Sequence, residues 1–170
     1  MQIRDAIPSD ATAIAELHHA TVFAAYASIY GPGWTPRPFD QRLDTWRRNL
    51  TPGSGVDTLV CEVDGLMVGF AGLGPNRDGL GASFGEIYTL YVHTDRQRRG
   101  IGAVLLHEAE LRLSNRGFSE AVLWTLEHNQ SARSFYERHD WQPDGATVPD
   151  DDRADLLEIR YRKSLAGPQA

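Results

Sequence analysis

The stretch that most constrains this chain is a switch of hydrophobic period around a pair of glycines. Phe84 to His93 reads as a strand with Ile87, Leu90 and Val92 as its apolar content. Ile101, Leu105, Leu106, Ala109 and Leu113 then recur at helical spacing, and Gly117 supplies a stop. Between them stands Gln97-Arg98-Arg99-Gly100-Ile101-Gly102-Ala103. Glycines let backbone approach a ligand closely, and a helix start offers unpaired N–H donors on the positive end of the helix dipole. With the charge of Arg98 and Arg99 added, this is a site suited to a diphosphate. It lacks the Gly-Lys-Ser/Thr of a Walker loop and the third glycine of the dinucleotide fingerprint. Taken alone, the same residues also suit a turn whose arginines simply face solvent.

The rest of the chain surrounds that unit with a mixed α/β pattern. Met1–Ala6 reads as a strand, followed by a helix carrying Ile14, Leu17 and Val22, with His18 and His19 expected as surface or edge histidines. Three prolines and two glycines place a loop from Tyr30 to about Phe39, and Asp40–Leu50 reads as a second helix. Aromatic residues beside such a loop can line a cleft or pin the loop to the core. Thr58 to Leu73 is β-rich on both sides of Asp64-Gly65, a hairpin signal, and Cys61 within it reads as a packed thiol. Residues 76–83 read as a mobile loop. Ala121–Leu126 is a strand, Asn129–Arg138 a helix and Leu156–Lys163 a final strand, with the acidic segment from Asp150 a solvated turn between the last two strands. A meander of strands that then alternates with helices implies an α/β fold on a mixed sheet.

Composition narrows the partners. At 170 residues one domain is expected, residues 1–165, with 166–170 a short tail. A net charge of −6 argues against non-specific nucleic-acid binding, which depends on neutralising phosphates. No run approaches the roughly 18 apolar residues of a membrane span, and the start of the chain lacks the apolar core of a secretory signal. The single cysteine excludes an internal disulfide and suits a reducing, cytoplasmic setting. Nothing is spaced as a metal site, so no metal is expected.

A second motif settles the first. After the strand ending at Leu126 comes Asn129-Gln-Ser-Ala132-Arg-Ser-Phe135-Tyr136, about thirty residues beyond the glycine turn. Gln-x-x-Gly-x-Gly followed by Asn-x-x-Ala-x-x-Phe-Tyr resembles the GNAT superfamily of acyl-CoA-dependent N-acetyltransferases. The resemblance runs over almost the whole chain and is strongest from Glu86 to Trp141. It implies a single-domain, mostly antiparallel mixed sheet flanked by helices, with splayed central strands. It also implies acetyl-CoA as acyl donor. Leu90 and Val92 would face the pantetheine arm, and Gln97 opens the motif whose amides, from Arg98, Arg99, Gly100, Ile101, Gly102 and Ala103, would cradle the pyrophosphate. Asn129 would hydrogen-bond the cofactor, Phe135 would pack beside it, and Tyr136 would protonate the departing thiolate. Glu86 is the candidate base, with a water chain as its alternative. Tyr26, Tyr30, Trp34 and Tyr88 are acceptor-side candidates.

The activity implied is transfer of acetyl to a primary amine of a small or amino-acid-like molecule by direct attack. The competing readings are acetylation of a protein N-terminus or lysine, and an acyl-CoA sensor without turnover. Dimers are common in the family, and nothing in the sequence selects a homodimer. One departure is visible: Asp140 precedes Trp141 where the family commonly has glycine, and Asp tolerates the left-handed backbone better than most residues.

Overall fold

Asp64 and Gly65 both take positive φ, 54° and 75°, the backbone of a two-residue hairpin turn. They join β2 (Asp57–Val63) to β3 (Leu66–Pro75), paired antiparallel from Asp57↔Leu73 to Val63↔Leu66 with a register shift at Cys61/Glu62. The structure is a computed structural model and describes residues 1–167; residues 168–170 of the expected tail lie outside the described residues. The remaining elements are β1 (Gln2–Asp5), α1 (Ala11–Tyr30), α2 (Phe39–Asn49), β4 (Phe84–Val92), α3 (Ile101–Asn115), β5 (Glu120–Leu126), α4 (Gln130–Glu137), β6 (Gln142–Pro149) and β7 (Leu157–Ser164). The strands form one sheet in the order β1-β2-β3-β4-β5-β7-β6. The β4–β5 pair is parallel and runs over three partners, Phe84↔Glu120 to Glu86↔Val122. The sheet is otherwise mostly antiparallel, as expected.

Two compact units carry these elements: Met1–Pro75 with Ile87–Ala109, and Asn76–Glu86 with the chain from Glu110 onward. The core of the first is Ala11, Ile14, Ala15 and Leu17 of α1, Trp46 of α2, Val60 of β2 and Phe70 of β3. The larger aliphatic and aromatic side chains among these contribute about 1.5–3 kcal/mol each when buried. His18 joins this core rather than the surface or edge expected of it. One turn on from Ile14, it is half-buried, its Nδ1 accepts from Trp46 Nε1 at 3.1 Å, and its ring lies 4.7 Å from that of Tyr91. Burial, then the charges of Arg42 and Arg37, hold its pKa well below the usual value, so the ring is neutral. Cys61 is buried as expected, which pushes its thiol pKa up and keeps it inert.

The second unit is built on β5, β7 and β6. Its core includes Leu123, Tyr161 and Trp141. Trp141 Nε1 donates to Glu110 Oε1 at 2.8 Å, and Lys163 Nζ donates to the same carboxylate and to the His139 carbonyl. Two expectations change here. The segment 76–83 is tied down: Asn76 Oδ1 accepts from the Asp78 and Leu80 amides, and Asp78 accepts from Trp124 Nε1 at 2.9 Å. Asp150 is buried, and its Oδ1 accepts from the Asp152 and Arg153 amides. The turn is therefore organised around that side chain rather than merely solvated. Asp140 takes φ 65°, the conformation that glycine would supply, and Trp141 N donates to the Tyr136 carbonyl at 3.2 Å. The departure at Asp140 leaves this turn intact.

Candidate active site

In the first unit the site residues follow the end of β4. Leu90 is half-buried and Val92 buried. Gln97 turns back, its Nε2 donating to the Val92 carbonyl at 3.1 Å, so its amide group fixes the turn. Arg98 then takes φ 57° and Gly100 φ 81°. Left-handed backbone costs a non-glycine residue about 1–2 kcal/mol, and such outliers cluster at ligand sites. Val104 N donates to the Gly100 carbonyl at 3.1 Å, which makes Gly100 the N-cap of α3. The amides of Gly100, Ile101, Gly102 and Ala103 are thus the four that a helix leaves without an internal partner. Gly100 has no side chain with which to cap them. Arg98, Arg99 and Gly100 are exposed, so donors and cations face a common solvent-open turn. This chemistry fits a pyrophosphate.

The acceptor-side candidates of this unit are engaged with neighbouring rings and with backbone. Tyr30 ends α1, is buried, and stacks on Trp34 with centroids 4.4 Å apart and 13° between planes. Trp34 stacks in turn on the exposed Phe23 at 6.5 Å. Tyr26 lies edge-on to Tyr30 at 6.0 Å, with its hydroxyl 3.5 Å from that of Tyr91. Tyr88 donates its hydroxyl to the Pro75 carbonyl at 2.6 Å. A Cβ on Gly74 would meet that hydroxyl at 2.6 Å and the Gly55 carbonyl at 2.7 Å, so glycine is what admits it.

The second unit holds the other candidates. Asn129 is the N-cap of α4, its Oδ1 accepting from Ala132 N at 3.1 Å. Phe135 is half-buried against His139, ring centroids 4.6 Å apart. Tyr136 is buried, its ring 6.0 Å from Tyr161 and 6.3 Å from Trp141. Tyr161 donates to Glu137 Oε1 at 2.7 Å and accepts from Arg133 Nε at 3.3 Å, which anchors α4 and with it Tyr136. Glu86 is 1% exposed, and Arg77 engages both its oxygens: Nε and Nη2 donate to Oε1 and the backbone N to Oε2, at 2.5–3.1 Å.

Sequence reasoning passed over Arg77 and Glu158. Glu158 lies on β7 opposite Leu126 of β5 and Val148 of β6. It is half-buried, and its carboxyl is pushed up to about 7, by burial first and then by Asp150 and Asp151, with Arg77 pulling the other way. The alternation of Leu157 to Arg162 marks Glu158 as one of the polar positions. What it does not reveal is that β7 runs inside the sheet, where such a position loses water.

Among the described residues no helix is long and apolar enough to cross a membrane. The sequence profile of the Acetyltransferase (GNAT) family matches residues 19–141. The probable N-acetyltransferase Rv2775 of Mycobacterium tuberculosis is 30% identical over 153 residues, covering 86% of this chain and 83% of its own. The L-amino acid N-acyltransferase MnaT of Escherichia coli is 32% identical over 108 residues, covering 62% and 59%. Among solved structures, yncA of Salmonella typhimurium, solved with its cofactor acetyl-CoA, matches with a TM-score of 0.74 and 24% identity, covering 100% of this chain and 96% of that one, which is a likeness of fold. With its glycine turn, its Asn-capped Tyr helix and a family profile matched over most of its length, this chain belongs to the GNAT family and is an N-acetyltransferase.

Proposed function

We propose that residues 1–165 act as one N-acetyltransferase domain that moves acetyl from acetyl-CoA to the primary amine of a small or amino-acid-like molecule, in the cytoplasm. The observation that carries the acceptor reading is the aromatic stack of Phe23, Trp34 and Tyr30, which turns a Pro/Gly loop into a fixed wall. A rigid wall selects compact acceptors by shape, whereas a protein acceptor needs an open groove. The likeness to an L-amino acid N-acyltransferase supports the same class. The single, buried Cys61 and the acidic balance suit the cytoplasm.

Acetyl-CoA supplies an acetyl group activated as a thioester. The residues of this chain would do the rest. Leu90 and Val92 would line the pantetheine arm. The amides from Arg98 to Ala103 would hold the pyrophosphate, with Arg98 and Arg99 adding charge and Gln97 keeping the turn closed. Asn129, capping α4 through Oδ1, would offer its amide N–H to the cofactor, and Phe135 would pack against it. Tyr136, whose ordinary pKa of about 10 suits a thiol of similar basicity, would protonate the leaving sulfur. Tyr26 and Tyr88 would complete the acceptor side. Glu86 has a narrower share than its strand position suggests. Both of its oxygens already accept hydrogen bonds from Arg77, and its side chain is withdrawn from solvent. Glu86 therefore serves better as an anchor for Arg77.

The test is thiol release from acetyl-CoA across a panel of amines and amino acids, run beside a panel of peptides. Turnover of small amines with no peptide turnover is expected; the reverse overturns the acceptor reading. On the best acceptor, Tyr136→Phe should lower kcat about 100-fold while acetyl-CoA affinity by calorimetry stays within twofold. Equal losses in both would assign Tyr136 to packing.

A further inference from the structure

If Glu86 is held by Arg77, the proton of the incoming ammonium needs another acceptor, and the second unit contains one. Strand register places Glu86 beside Val122 of β5, and Val122, Trp124 and Leu126 opposite Arg162, Arg160 and Glu158 of β7. Side chains alternate along a strand, so these positions share one face of the sheet. Ring contacts agree: the Arg160 guanidinium lies 5.4 Å over Trp124 and that of Arg162 4.9 Å over Phe84. Tyr161, against which Tyr136 packs, has the opposite parity on β7. Acid and base candidates thus lie on opposite faces of the same strands.

We propose that Glu158 is the proton acceptor for the acceptor ammonium. Among the described residues no hydrogen bond or ion pair engages its carboxylate, in contrast to Glu86. The charged groups acting on it are Asp150, Asp151 and Asp152 from the β6–β7 turn and Arg77 from the β3–β4 loop. The aspartates raise its proton affinity and favour a cationic acceptor, while Arg77 moderates them. A base that titrates near neutral pH is best matched to its task, and burial beside like charges supplies that value here. One nitrogen proton passes to Glu158, the C–N bond forms as the C–S bond breaks, and the sulfur takes a proton from Tyr136. The second nitrogen proton then replaces the one Tyr136 gave.

This rests on the acetyl-transfer reading, so the test uses whichever acceptor class turns over; a wrong acceptor class leaves it intact. Glu158→Gln should lower kcat/KM for the acceptor roughly 100-fold at pH 7, keep acetyl-CoA affinity within twofold, and lose the acidic limb near pH 7. Glu158→Asp, which keeps the carboxylate, should recover part of the rate and the limb. A Glu158→Gln enzyme within threefold of wild type, with its limb unchanged, overturns the proposal. If the Gln variant does not fold, the wild-type kcat profile decides: a limb near pH 7 supports Glu158, and a profile flat to pH 5.5 overturns it.

Discussion

The α3 and α4 helices begin in opposite ways. α4 is capped from within: Asn129 Oδ1 takes the Ala132 amide, meeting one of the four donors that a helix leaves unpaired. α3 begins at Gly100, which has no side chain to offer, after an arginine held in left-handed backbone. Both helices follow a strand, and the chain has the usual capping residues at its disposal. The difference lies in whether the protein supplies the acceptor or leaves the donors open, and α3 pairs its open donors with the exposed Arg98 and Arg99. A glycine start gives up only about a few tenths of a kcal/mol relative to a side-chain cap, a deficit that a bound anion can make up.

Giving α3 its own cap breaks the contrast most directly. Gly100→Asp places a carboxylate where the amides converge and tolerates the left-handed backbone better than most residues. Acetyl-CoA affinity by calorimetry should fall at least 100-fold while the thermal midpoint of the free protein changes little; unchanged affinity would remove the glycine turn from the cofactor site. Removing the charge but keeping the amides is milder. Arg98→Gln with Arg99→Gln should weaken acetyl-CoA about 10-fold in 50 mM salt and flatten the salt dependence of binding, since exposed charges are screened within roughly 10 Å at 0.1 M. If the salt dependence persists, the arginines are bystanders. The smallest effect belongs to the helix that caps itself. Asn129→Ala should cost about 1 kcal/mol, a shift of roughly 2–4 °C in the melting midpoint. A loss of acetyl-CoA affinity with no loss of stability would mean that Asn129 serves the cofactor alone.

The contrast also explains what could be read from residues. The Asp64-Gly65 hairpin, the glycine turn before α3 and the Asn129 helix start are local: a few neighbouring residues set the backbone, and each lies where the sequence places it. Asp140 belongs with them, since its left-handed turn needs only a residue that tolerates the conformation. Two of the misreadings are cases in which a distant partner decides. His18 looked like an edge histidine until Trp46, Phe70 and Tyr91 enclosed it. The 76–83 segment looked mobile because Gly, Asn and Asp favour turns, yet Trp124 and Arg160 hold Asp78 from strands more than 40 residues away. Asp150 lies in a run of acids that reads as solvated, and it is buried as the organiser of its turn.

The same division runs through the chemistry. Sequence by itself determined the family and the strand–turn–helix order that leaves the backbone amides of α3 open, because amides at a helix start depend on chain direction and on two glycines. The surroundings of each carboxylate were left to the tertiary structure. Glu86 and Glu158 are both strand glutamates, and nothing adjacent to either sets them apart. Arg77 folds back onto one, while β7 runs between β5 and β6 and carries the other partly out of water beside three aspartates. Proton affinity depends on what surrounds a group in three dimensions, and strand order in a sheet is what supplies those surroundings.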